Sequence, residues 1–168
     1  MRASTLTRTA SAVLATAAAG GLATQPSSAW YRSLRLPSWQ PPARAFGLAW
    51  TPLYVDLAVT SARALDALRR AERRDEHAGY VRALGVNLAL NAGWSVLFWR
   101  GRRPWVSTVE CAVLAVSAAD LVRRTGDADT RAGAALVPYP LWCTFATALN
   151  AAVARRNPAR PGRTSRFR

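Results

Sequence analysis

Three hydrophobic stretches of this chain each carry a tryptophan beside a tyrosine or an asparagine. The first, Phe46–Tyr54, supplies Trp50 and Tyr54. The second, Asn87–Trp99, supplies Asn87, Asn91 and Trp94. The third, Val137–Asn150, supplies Tyr139, Trp142 and, a turn further on, Ala146. Indole and phenol rings stack on flat aromatic surfaces, and a few fixed amides orient the polar edge of a bound molecule. Polar groups inside apolar runs mark a cavity or a packed contact. The chemistry expected is recognition of a hydrophobic small molecule inside a membrane bundle.

Composition narrows the alternatives. The chain has 168 residues, enough for one domain, and 51% of them are hydrophobic. It carries 23 basic residues, all Arg, against 9 acids, for a net charge of +14. A nucleic-acid binder reaches such a charge with a basic arm or one amphipathic face. Here the arginines punctuate long uncharged runs, as membrane-flanking residues do, so no nucleic-acid partner is expected. Cys111 and Cys143 lie in apolar runs without metal or redox spacing and read as buried thiols. The only histidine, His77, falls in a charged loop, so no metal site is expected.

The elements that must position these side chains are five apolar runs, at about residues 9–24, 45–68, 78–99, 105–122 and 132–154. The last four approach the length of ~20 residues that a helix needs to cross a bilayer. An all-α integral membrane bundle of five transmembrane helices, one domain over 1–157, is the direct reading, because helices satisfy their own backbone in lipid. Run one has a second reading: Arg2 and Arg8 before an Ala-rich core, with Ser27-Ser28-Ala29 beyond it, resemble a cleavable signal peptide. Residues 25–44 hold Trp30, Tyr31, Trp39 and several prolines, and suit a stiff lid over one end of the bundle. Residues 158–168 read as a basic disordered tail. The arginines divide almost evenly between the two ends, which leaves only a slight lean to a cytoplasmic C-terminus.

Helical geometry sorts the runs into faces. At 100° per residue, Asn87, Asn91 and Trp94 cluster within about 60° and should point into the bundle. Gly85, Ala89 and Gly93 fall on the other side at the four-residue spacing that lets helices approach closely, either within the monomer or against a second copy. Phe46, Trp50, Tyr54, Leu57 and Ser61 form one stripe, whereas Asp56 and Arg63 share a different side, where Arg63 is expected to compensate the carboxylate. Pro52, Pro138 and Pro140 remove donors and should kink their helices beside Trp50 and Trp142. Glu110 and Asp120 read as helix-end carboxylates reaching headgroups or Arg.

These motifs, in this order, resemble the TspO/MBR family, the tryptophan-rich sensory proteins that include the translocator protein, or peripheral benzodiazepine receptor. The resemblance rests on Trp30-Tyr31…Leu36-Pro37-Ser38-Trp39…Pro41-Pro42, Phe46…Trp50-Thr51…Leu53-Tyr54, Asn87…Asn91…Trp94…Phe98 and Pro138-Tyr139…Trp142…Phe145-Ala146-Thr147…Leu149-Asn150. It covers Trp30 to about Asn157. It implies a retained first helix, five spans, a homodimer, and a first loop closing over a pocket for protoporphyrin IX, haem-like tetrapyrroles or other hydrophobic ligands. Trp50 and Trp142 correspond to two pocket tryptophans linked in some members to light-dependent porphyrin degradation, and Tyr31, Asn87 and Asn91 to further pocket positions. Trp39, Tyr54, Trp94, Tyr139 and Ala146 complete the expected ligand-binding set, and Gly85, Ala89 and Gly93 the expected dimer face. No cofactor is required beyond the tetrapyrrole as ligand. Ala151 replaces the tyrosine of the cholesterol-recognition pattern of animal members, so cholesterol binding is not carried over. Asp56, Pro52 and Pro140 also depart from the apolar residues the family pattern suggests.

The leading expectation is a tetrapyrrole-binding sensor or stress regulator, in contact with membrane lipid and located in the bacterial cell membrane that the Arg-only basic set suggests. The alternatives are a porphyrin photo-oxidase using Trp50 and Trp142, a porphyrin or lipid transporter, and a ligand-free scaffold.

Overall fold

A computed structural model describes residues 1–158, and among these every regular element is helical. The expected tail, except Pro158, lies outside the described residues. The helices are α1 (Ala3–Ala23), α2 (Ala29–Arg32), α3 (Ala43–Arg70), α4 (Arg74–Ser95), α5 (Pro104–Ala128), α6 (Thr130–Leu136) and α7 (Pro138–Arg156), with a π-helical segment, Val96–Arg100, continuing α4. Local chemistry sets several ends. Pro42 precedes α3, and Pro104 and Pro138 open α5 and α7, where a missing N–H costs nothing. The Asp129 side chain caps α6 by accepting from the Ala132 N–H at 3.0 Å.

Three helical segments are long and apolar enough to cross a membrane: Arg74–Arg100, Pro104–Ala128 and Thr130–Arg156. In α1 the Ala and Thr content, and in α3 the charges at Asp56, Arg63 and Asp66, dilute the hydropathy. The helices alternate in direction. One end, the lid end, joins residues 24–42 to the α4–α5 turn and the end of α7; Arg100 donates to the Leu22 carbonyl there at 3.2 Å. At the far end Arg63 pairs with Asp129 at 2.9 Å, and Tyr80 bonds Ser61 and Thr125 at 3.2 and 2.9 Å. Leu57, Leu114, Leu121, Leu136 and Tyr139 are fully buried between α3, α5, α6 and α7.

Several expectations take a different form. The first run is an integral part of the packing, because Thr9 Oγ1 donates to the Ala58 carbonyl at 2.9 Å and Thr5 Oγ1 to the buried Asp66 at 2.7 Å. Gly20 lets α1 approach α4: a Cβ there would sit 3.2 Å from Ser95 Oγ. The final run is divided at Val137 into α6 and α7, and the Ala134 carbonyl, which Pro138 cannot bond, accepts from the Val137 N–H at 3.4 Å. In contrast, α3 continues through Pro52. His77 falls in the first turn of α4 and is half-buried.

Arg63 does not compensate Asp56. It extends towards the interface and takes Asp129, a carboxylate near water, while Asp56 Oδ2 is buried without a protein partner. The exposed pair is the less costly arrangement, because its groups keep part of their hydration. Asp120 meets Arg123 at 2.7 Å as expected of a helix-end acid. Glu110 instead has both oxygens buried without a partner, and the site of a Cβ on Gly93 lies 3.9 Å from its Oε1. Cys111 and Cys143 are buried and unoxidised.

Candidate functional site

A cavity of about 460 Å³ opens beneath the lid. One wall belongs to α3: Phe46, Trp50 and Tyr54 recur at four-residue spacing and so share a face. Trp50 and Tyr54 stack with centroids 5.2 Å apart. A second part of the lining comes from α4 and its π segment. Trp94 and Phe98 stack at 5.8 Å, and Phe98 meets Trp99 edge-on at 5.3 Å. Both Phe98 and Trp99 are buried although adjacent in sequence. Adjacent residues of an α-helix point about 100° apart, and the wider π turn brings both inward. Gly101 closes that turn. Its N–H donates to the Val96 carbonyl at 2.9 Å, and a Cβ there would lie 2.6 Å from the Leu97 carbonyl oxygen.

The lid adds Pro26, Tyr31 and Gln40 to the lining. Tyr31 packs on Trp99 at 4.7 Å and Trp30 on Phe98 at 5.4 Å. Gln40 Nε2 donates to the Tyr31 hydroxyl at 3.0 Å. Asn157, at the end of α7, clips the loop by a reciprocal pair: its Oδ1 accepts from the Arg35 N–H at 2.9 Å, and its Nδ2 donates to the Arg35 carbonyl at 3.1 Å. The floor near α1 is Ala17, Gly20 and Gly21, whose lack of bulk leaves the space open.

The expected site residues fall into three groups. Tyr31, Trp50, Tyr54, Asn91 and Trp94 line the cavity. Trp142 and Ala146 stand behind Trp50 and line an adjoining void of about 30 Å³; the Trp50 and Trp142 rings are nearly perpendicular at 6.4 Å. Asn87, Tyr139 and Trp39 reach neither space. Trp39 is 47% exposed and leans on Phe145 at 5.9 Å.

Asn87 and Tyr139 instead build a hydrogen-bond chain through the bundle. The Tyr54 hydroxyl donates to Asn91 Oδ1 at 2.7 Å, and Asn91 Nδ2 donates to the Tyr139 hydroxyl at 3.3 Å. Tyr139 donates to Asn87 Oδ1 at 2.8 Å, and Asn87 Nδ2 donates to Ser117 Oγ at 3.2 Å. Four helices, α3, α4, α7 and α5, are tied through one line of polar groups. Asn87 and Tyr139 are fully buried, so each would be costly to leave unpaired.

Two further polar atoms near the cavity are left without a partner. Trp94 Nε1 and Asn150 Oδ1 are buried on residues lining the cavity and have no protein partner among the described residues. Asn150, Phe98, Trp99 and Gln40 were not anticipated as site residues. Asn150 stands in a recognisable motif, but the inward pair Phe98–Trp99 depends on a π turn that no helical periodicity signals. Among the described residues the lining holds no charged residue and no His, Cys or Met. It thus offers a flat apolar molecule aromatic walls and a few hydrogen-bonding atoms, and offers a metal none of the usual soft or imidazole ligands.

Fold and site together define a helical membrane protein with a partly open, aromatic-lined pocket to which its first loop contributes. The TspO/MBR family model matches residues 9–156. A tryptophan-rich sensory protein of Cereibacter sphaeroides is 35% identical, with 79% of each chain covered. A tryptophan-rich protein TspO of Chlorobaculum tepidum is 30% identical over 80% of this chain and 83% of its own. The human translocator protein is 30% identical over 76% of this chain and 75% of its own. The chain belongs to the TspO/MBR family and is a membrane protein.

Proposed function

We propose that this chain is a five-span membrane sensor or regulator that binds a tetrapyrrole, such as protoporphyrin IX or a haem-like molecule, in the cavity beneath the lid. The observation that carries the reading is that two aromatic stacks, Trp50–Tyr54 and Trp94–Phe98, line one space of about 460 Å³ that has no charged residue in its lining among the described residues. That size is ordinary for a ligand pocket, about 300–1,000 Å³, and the walls suit a flat macrocycle. Polar side chains of the lining, among them Tyr31, Gln40 and Ser95, would orient the edge of the macrocycle. Among the described residues the lining holds no His, Cys or Met, so the reading rests on contacts with the macrocycle. The names of the relatives, sensory protein and translocator protein, agree with a ligand-responsive role.

The edge-on contact of Trp50 with Trp142 at 6.4 Å favours a second reading, light-driven degradation of the bound porphyrin. Trp50 would face the ligand and Trp142 would extend the indole path behind it. A homodimer through Gly85, Ala89 and Gly93 belongs to the same proposal, because Gly85 and Ala89 are exposed in the monomer and available for close helix packing.

The test is a titration of the detergent-purified protein with protoporphyrin IX in the dark, read by Trp quenching and porphyrin absorption. Saturable binding weakened about tenfold or more by Trp50→Ala, and less by Trp142→Ala, supports the assignment. Absent saturation, or affinity indifferent to both changes, would remove the tetrapyrrole. Illumination of the bound complex then separates degradation from binding, since Trp142→Phe should slow porphyrin loss while leaving it bound.

A further inference from the structure

Charge is distributed asymmetrically between the two ends of the bundle. Every salt bridge among the described residues lies towards the far end: Arg63–Asp129, Arg73–Glu76, Arg123 with Asp120 and Asp127, Arg124–Asp120, and the N-terminal amine with Asp66. The lid end has no such neutralisation. Arg32, Arg35 and Arg44 belong to the lid and the start of α3. Arg100, Arg102 and Arg103 crowd the α4–α5 turn, and Arg155 and Arg156 end α7. All of these are exposed, and no Asp or Glu occurs in 25–44, 100–104 or 155–158. Only Arg100 is engaged through its side chain, to the Leu22 carbonyl. The Arg35–Asn157 backbone contact and the Arg100–Leu22 bond hold these three clusters at one end.

We propose that these lid-end arginines, none of which has a carboxylate partner among the described residues, are a binding surface for anionic lipid headgroups beside the cavity. Like charges gathered without counter-charges repel one another, and an anionic surface relieves that repulsion. Guanidinium forks match phosphate oxygens in geometry as well as charge. Among the described residues no arginine lines the cavity, so the cluster addresses what lies outside it. Exposed apolar side chains are interleaved with it: Leu36, Trp39 and Trp105 are 38%, 47% and 51% exposed. Tryptophans at the end of a membrane bundle suit the headgroup region, and the adjoining apolar surface suits acyl chains, which free phosphate lacks. The inference rests on the membrane placement of the chain and not on the identity of the pocket ligand.

Native mass spectrometry of the full-length protein, exposed to an equimolar mixture of phosphatidylglycerol and phosphatidylcholine, tests it. Retained phosphatidylglycerol should exceed phosphatidylcholine by about threefold or more. The variant Arg102→Gln/Arg103→Gln/Arg155→Gln/Arg156→Gln should lose most of that preference. The far-end variant Arg69→Gln/Arg70→Gln/Arg74→Gln/Arg131→Gln removes the same charge and should keep it. Equal retention of the two lipids, or equal loss in both variants, would overturn the proposal. Wild-type protein provides a measurement independent of variant folding: the preference should fall steeply as salt is raised to about 0.5 M, and its survival there would also overturn the assignment.

Discussion

The Tyr54 hydroxyl donates to Asn91 Oδ1 across 2.7 Å, and this bond joins the cavity wall to the polar chain behind it. It commits the Asn91 oxygen to the protein, while Asn91 Nδ2 is committed to Tyr139 at 3.3 Å. Asn91 therefore borders the ligand space as a structural member, and what it orients first is the Tyr54 ring that stacks on Trp50.

Tyr139→Phe should expose the difference between support and contact. It leaves Asn91 Nδ2 and Asn87 Oδ1 without their partner in a fully buried place. An interhelical hydrogen bond in a membrane protein averages about 0.6 kcal/mol, but an orphaned buried polar group costs about 1–3 kcal/mol. We expect a loss of about 2 kcal/mol in thermal or denaturant unfolding in detergent. Tyr54→Phe leaves a similar-sized ring on the wall and should cost less stability. A larger loss for Tyr54→Phe than for Tyr139→Phe would contradict this order.

Asn157→Ala should loosen the lid without touching the cavity lining. Both Arg35 backbone groups lose their clip, while the Tyr31–Trp99 and Trp30–Phe98 contacts remain. Hydrogen exchange over residues 30–40 should accelerate, and dissociation of a bound porphyrin should quicken by about tenfold, equivalent to about 1.4 kcal/mol. Unchanged exchange in that segment would show that the aromatic contacts alone hold the loop.

Two glycines should respond in opposite ways. At Gly133 a Cβ would fall 2.5 Å from the Gly126 Cα, backbone against backbone, so Gly133→Ala must spread α5 from α6. The expected cost is about 1–3 kcal/mol of stability, as for overpacked cores. At Gly85 nothing lies within 4 Å of the same atom. Gly85→Leu should leave monomer unfolding nearly unchanged while shifting the proposed dimer towards monomer in sedimentation. Monomer destabilisation at Gly85 would place that face inside the fold.

Acid should act at the α5–α6 corner. The Ala132 N–H, first, and then the Arg63 guanidinium hold the Asp129 carboxyl below the usual carboxylate range. A lowered folded-state pKa means that this stabilisation is present above the unfolded pKa of about 3.9 and is lost as pH falls through the folded value. Stability at this corner should therefore be flat from pH 7 to about 5 and decline below about 4. Asp129→Ala removes the cap and should cost about 0.5–2 kcal/mol at neutral pH. An acid-side decline of equal size in the variant would assign the titration elsewhere.

Much of the helical plan was legible in the chain because it follows from local rules: apolar run length, proline at helix starts, and a repeating stripe such as Phe46–Trp50–Tyr54. The ordered Trp, Tyr and Asn motifs were sufficient to recognise the family. Less legible was which polar residues serve the ligand and which serve the fold. Asn87 and Asn91 share a helix face, yet their amides are both committed, because Tyr54 and Tyr139 arrive from α3 and α7 at hydrogen-bonding distance. No spacing within one helix records what another helix brings to it.

The same division applies to charge and register. Composition alone determined that the protein is strongly basic and that its arginines flank apolar runs. Only the packing decided that Arg63 answers Asp129 and leaves Asp56 without it, since a long flexible side chain takes the partner nearer water. Only the packing, too, decided that α4 widens into a π turn that buries Phe98 and Trp99 together. Sequence patterns set what each segment is able to bury, and the helices against which it packs set which of those options is realised.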